Sequence, residues 1–172
     1  MYVPSKVNKI QFDRPAFLKI KQKAESYYNG LPPITCPYLQ NTVSFTSDGW
    51  HHLRYDGARS ERPKIMQLIK FKLLITYVVD TIRASGTLQY YRTVLQPVGK
   101  VGHDGFRKTS MVQYYAFESL DKDKRIKCRV IVRRVGDGNF HFWSVIPRWK
   151  YNQQGQNKTR TAGENTAALE DE

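Results

Sequence analysis

Residues 125–149, RIKCRVIVRRVGDGNFHFWSVIPRW, decide the fold. Two runs rich in β-branched and aromatic residues flank Gly136-Asp137-Gly138-Asn139. Asp-Gly at the centre of a short loop favours a hairpin, because a type I′ turn needs φ > 0 at both central residues. This sets Val135 against Phe140, Arg133 against Phe142, Ile131 against Ser144 and Arg129 against Ile146. Side chains alternate along a strand, so the other face carries Val132 with Trp143, Val130 with Val145, and Cys128 near Pro147. That face reads as core. The first face gathers Arg129, Arg133, Phe142 and Ser144 on an open surface. A one-residue slip exchanges the two.

Working back along the chain, residues 111–120 form the preceding strand, and the DKDK run at 121–124 turns it. Pairing Ser119 with Ile126 sets Glu118 against Lys127, a cross-strand charge pair that supports the register. Residues 87–95 are a further strand. Residues 96–110 hold Pro97, Gly99, Gly102 and Gly105 with Lys100, Arg107 and Lys108, and read as a long, basic, mobile loop. Residues 62–85 place Ile65, Leu68, Ile69, Leu73, Val79 and Ile82 at helical spacing without an internal Gly or Pro, so a buried helix is expected there. A shorter helix follows Asp13 and Pro15 and stops at Asn29-Gly30. Between the helices lies GWHHLRY, residues 49–55, read as a turn followed by an extended segment, with a basic loop carrying Arg59 and Arg62 behind it. The expected fold is α+β: an N-terminal helix and a long central helix on one face of a four-stranded antiparallel sheet. Residues 1–13 read as a leader, 14–151 as a single domain and 152–172 as a disordered polar tail.

The chain has 172 residues and a net charge of +13, from 28 Lys and Arg against 15 Asp and Glu. The tail sets Lys158 and Arg160 against Glu164, Glu170, Asp171 and Glu172, so the body is more basic than the whole. Such a field attracts polyanions, nucleic acid first. Two cysteines make neither a disulfide framework nor a Cys-rich zinc site. Four scattered histidines with no HxxxH spacing or paired carboxylate point to no metal, and no cofactor is expected. No signal peptide is visible and the longest apolar run is too short to span a bilayer, so the expectation is a cytoplasmic protein without a membrane partner.

GWHHLRY, the Arg62-Pro63 entry to the long helix, and a last hairpin ending in HFWSVIP together resemble the phage-associated barnase/EndoU/colicin/RelE-like nucleases. The similarity runs over residues 43–149. It implies a metal-independent endoribonuclease of the toxin or mobile-element effector type, acting on RNA through an open basic sheet face, with an acidic antitoxin or immunity protein as a possible partner. By the resemblance His52 is the family's histidine, Arg62 its basic helix entry and Ser144 its last-strand hydroxyl. Arg129 and Arg133 are the cations beside them. Trp50, Arg54, Arg59, Arg62, Phe142 and His141 are expected to bind the nucleic acid. His141 lies in the matching HFWS context, yet the register turns it toward the helices; His51 ranks below His52 because an extended segment points it away. The alternative is a non-catalytic nucleic-acid-binding module using the same face.

Overall fold

The computed structural model describes residues 12–57, 59–120, 122, 125–151 and 157–159. The leader, up to residue 11, and most of the tail expected to be disordered lie outside the described residues. Within the tail, the backbone of β8 (Asn157–Thr159) pairs antiparallel with β7 (Trp149–Tyr151). Strand and helix labels follow chain order throughout.

α1 spans Arg14–Asn29. Asp13 caps it, its carboxylate accepting from the Ala16 amide at 3.1 Å, and Pro15 sits in the first turn where no backbone donor is needed. Phe17, Ala24 and Tyr28 form its buried stripe. Gly30 ends the helix at φ −88°, right-handed, and not in the left-handed stop that Asn-Gly suggests.

β1 (Ile34–Cys36) and β2 (Asn41–Ser44) form a small antiparallel hairpin. β2 then lies parallel to β6 (Phe140–Pro147), with Val43 beside Phe140 and Ser44 beside His141. With β3 (Tyr90–Val101), β4 (Arg107–Leu120) and β5 (Ile126–Val135), the result is a six-stranded mixed sheet in the order β1-β2-β6-β5-β4-β3. The four-stranded antiparallel sheet expected from sequence is therefore incomplete. Its meander is present, but two short strands extend it beyond the last one. A parallel neighbour needs a long crossover. Here the crossover is most of the domain, and nothing local in NTVS announces it.

A second correction concerns 47–55. These residues form α2 (Ser47–Arg54), not a turn and an extended segment. Gly49, read as a turn former, is the helix's contact point. A Cβ there would lie 2.4 Å from the Phe142 carbonyl oxygen and 2.5 Å from the Tyr28 hydroxyl. The long helix runs as α3 (Lys64–Leu73), a π-helical turn (Leu74–Val78) and α4 (Val79–Ala84).

The helices cover one face of the sheet. Phe17, Tyr28, Leu53, Phe71, Leu74 and Ile82 meet Phe117, Val130, Val132, Phe142 and Val145 in the main core. The opposite face holds a smaller cluster of Val112, Tyr114, Ala116, Ile131 and Ile146, with Trp143 against it. The last hairpin follows the expected register from Cys128–Pro147 to Ile131–Ser144 and then slips: Val132 pairs with Phe142 and Arg133 with His141. Trp143 is the extra residue. A bulge of this kind exchanges faces beyond it. Phe142 accordingly turns into the core, and Trp143 turns out beside Arg133. On the other side of β5, Glu118 pairs with Arg129, not Lys127. A slip of two residues leaves the face unchanged. The basic loop expected over 96–110 is mostly strand, the distal part of the β3–β4 hairpin.

Candidate functional site

The second face of the sheet floors a cleft of about 600 Å³. Tyr114, Arg133, Trp143 and His52 make its base. One wall is α2 and the loop after it, with Asp48, His51, Asp56 and Arg59; the other is the β3–β4 hairpin, with Gln96, Lys100 and Arg107. Four arginine and lysine side chains and two carboxylates thus line the cleft.

The base is a stack. Arg133 lies over the Trp143 ring at 4.2 Å and near Tyr114 at 5.9 Å. The His52 ring centre is 4.2 Å from that of Trp143. His52 is only 4% exposed. Neither of its ring nitrogens has a hydrogen-bond partner among the described residues, and the same holds for Arg133 Nε, Trp143 Nε1 and His141 Nε2. Burial pushes the His52 pKa down to about 2, and the charges of Arg62, Lys70, Arg133 and His51 add to the effect. Its imidazole is therefore neutral over the ordinary pH range. His141 is lowered as well, by burial first and Arg133 second, against a backbone hydrogen bond at Asn139 and the charge of Asp48.

Of the residues singled out in the sequence, the cleft brings together His52, Arg133 and Arg59. His141 lies on the same face as Arg133, its cross-strand partner, because the bulge reverses the expected orientation. The others are elsewhere. Ser144 is fully buried and accepts a hydrogen bond from Lys70 Nζ at 3.1 Å, while the same ammonium donates to the Val145 carbonyl at 2.8 Å. Phe142 stacks on Phe45 at 5.4 Å in the main core. Trp50 stacks on Phe71 at 5.3 Å, also in the main core. Arg129 is held by Glu118 at 2.9 Å. Arg54 lies over Tyr55 at 5.2 Å. Arg62 Nε donates to the His52 and Tyr55 carbonyls, at 3.2 and 3.1 Å, and so fixes the end of α2 in place.

Sequence reasoning did not assign Trp143, Tyr114, Lys100 or Arg107 to the site, and it ranked His51 below His52. His51 and His52 both reach the cleft because they lie on a helix, where neighbours are about 100° apart and not on opposite faces. Among the described residues no group of three or more His, Cys, Asp or Glu side chains comes together as a metal site. No helix there is long and apolar enough to cross a membrane. Comparison with protein-family models, with curated proteins and with solved structures gave no match.

Proposed function

We propose that this protein is a metal-independent endoribonuclease and that the cleft is its active site. The observation that carries the reading is the base of the cleft. There an arginine, an indole and a neutral imidazole pack together under a basic groove, each with a buried nitrogen that has no hydrogen-bond partner among the described residues. Buried polar atoms left in this way cost about 1–3 kcal/mol each, so their concentration at one place favours a ligand that completes them.

Cleavage of RNA by its own 2′-hydroxyl forms a bond from the 2′-oxygen to phosphorus and breaks the bond from phosphorus to the 5′-oxygen. One proton leaves the 2′-oxygen and one arrives at the 5′-oxygen. Arg133 is placed to stabilise charge on the non-bridging oxygens. His51, exposed on the wall, is the group assigned to proton transfer with substrate and water. His52 is assigned a hydrogen bond made in its neutral form. This is the reaction that the resemblance to the phage-associated nucleases implies, with His51 added and Ser144 and Arg129 removed from the site.

A second reading, a non-catalytic RNA-binding module, is favoured by the depressed pKa of His52, which removes one histidine from acid–base work at neutral pH. Incubation of the purified protein with RNA and with DNA of the same sequence, in excess EDTA, separates the two. The expected result is cleavage of RNA alone, lowered by about 10²–10³-fold in Arg133→Ala, the scale for losing one stabilising donor. Salt-sensitive binding without cleavage under any metal condition leaves the binding module. Absence of binding removes both readings.

A further inference from the structure

The β3–β4 hairpin outruns the sheet that carries it. The last rung between β4 and β5 is Val112 with Val135, whereas β3 and β4 stay paired as far as Val101 with Arg107. The hairpin has one irregularity. Val98 pairs with Lys108 and Val101 with Arg107, so Gly99 and Lys100 have no residue opposite them. Gly99 sits at φ +75°, a conformation that side chains with a Cβ rarely adopt. Bulges bend a strand and re-aim its side chains, and they concentrate beside active sites. This one sits where β3 walls the cleft. The hairpin is tied to the base just before it, by a hydrogen bond from Gln96 Nε2 to the Tyr114 hydroxyl at 3.1 Å.

The facing wall is also built under constraint. Arg59 is one of two non-glycine residues at positive φ among the described residues, at +63°. The turn that holds it is closed by Asp56. The Asp56 carboxylate accepts from the Ser60 amide at 2.8 Å, and its carbonyl accepts from the Arg59 amide at 2.9 Å. Strain of this kind persists where surrounding structure over-determines it, often at ligand clamps.

We infer that the hairpin is a phosphate-holding jaw, in which Lys100 and Arg107 on one wall and Arg59 on the other clasp the sugar–phosphate backbone of the nucleic acid on the base. The inference rests on the proposed function and adds the residues that hold the strand without reacting with it. Ordinary solvated cations account for Lys100 and Arg107 taken singly. The glycine-built bulge and the strained arginine opposite are what set them apart.

The test uses the full chain and a short 2′-O-methyl oligoribonucleotide, which binds without being cut, with affinity measured by fluorescence anisotropy over a range of salt. Lys100→Ala/Arg107→Ala is compared with wild type and with Lys19→Ala/Lys23→Ala, which removes the same charge from exposed positions on α1. The expected result is a Kd raised at least about tenfold and a log–log salt slope shallower by about 1.4, since each phosphate contact on a single strand contributes about 0.7. The α1 variant should keep the wild-type slope. A jaw variant that binds as wild type does overturns the jaw and leaves the proposed function standing. Equal losses in both double variants overturn it too, because net charge alone then explains binding. A wild-type protein that binds no oligonucleotide overturns the proposed function along with the jaw.

Discussion

The two faces of the sheet share their strands and solve opposite problems. Under the helices, rings pack on rings: Phe142 against Phe45 and Tyr28, and Trp50 against Phe71. The polar handle there is spent, since the Tyr28 hydroxyl donates to the Thr46 carbonyl at 2.8 Å. On the other face rings pack on cations and on an imidazole, and their N–H groups are left over. One face packs rings on rings and holds the fold. The other keeps buried atoms without a partner among the described residues under a basic groove, at a cost in stability. The contrast separates substitutions that should unfold the protein from those that should silence it.

The largest expected effect lies where the two faces meet. Gly49→Ala drives a Cβ into the Phe142 carbonyl and the Tyr28 hydroxyl, and the first, being β6 backbone, yields only if α2 and β6 move apart. Overpacking of this kind costs about 1–3 kcal/mol, and backbone contact puts it near the upper end. Urea unfolding measures it. A stability equal to wild type would mean that α2 is loosely seated and that the position of both histidines is not fixed by packing.

Over the first one or two pH units below about 6.5, a smaller effect appears. The folded pKa of His52 is depressed to about 2, while an unfolded histidine keeps its ordinary value of about 6.5. As pH falls below the unfolded value, the unfolded chain takes up the proton and the folded chain does not. Stability is thus full above about pH 6.5 and drops by about 1.4 kcal/mol for each unit below it. His52→Phe keeps a ring against Trp143 and removes both partnerless nitrogens. It should be at least as stable as wild type at pH 7 and lose less stability in acid. Parallel pH profiles for the two proteins would show that His52 is not the group responsible.

The smallest effect belongs to Ser144. Ser144→Ala removes one acceptor of the Lys70 ammonium and leaves the Val145 carbonyl, so about 1.5 kcal/mol should be lost, the lower end for a hydrogen bond to a charged group. Turnover of RNA should be unchanged. A large loss of turnover at unchanged stability would put Ser144 back in the active site.

The basic character, the two helices of the N-terminal half and the meander could be read from the sequence, because charge and periodicity are local quantities. The errors share one cause. The last hairpin was in register up to Ile131 and Ser144, and HFWS carries no glycine or turn residue to mark the bulge that follows. That single residue moved Phe142 into the core and brought Trp143 to the base of the cleft. Ser-Asp-Gly at 47–49 has the composition of a turn, and it became helix because Gly49 permits a close approach to β6, a tertiary reason that local propensity does not contain. Lys100 and Arg107 were noticed as basic. Their place in one cleft with Arg59 depended on a strand pairing hidden behind four glycine and proline breaks.

The parallel pairing of β2 with β6 also sets an order of events. Val43 meets Phe140 across roughly a hundred residues of intervening chain, so the sheet cannot close until its sixth strand is available. Contacts of such sequence separation form late and slow the search for the native state. Both histidines belong to the early half of the chain, whereas Arg133 and Trp143 belong to the late half. During synthesis, therefore, no emerging fragment holds an assembled cleft. Whatever chemistry the site performs is withheld from a partly made molecule and begins only when the final strand docks.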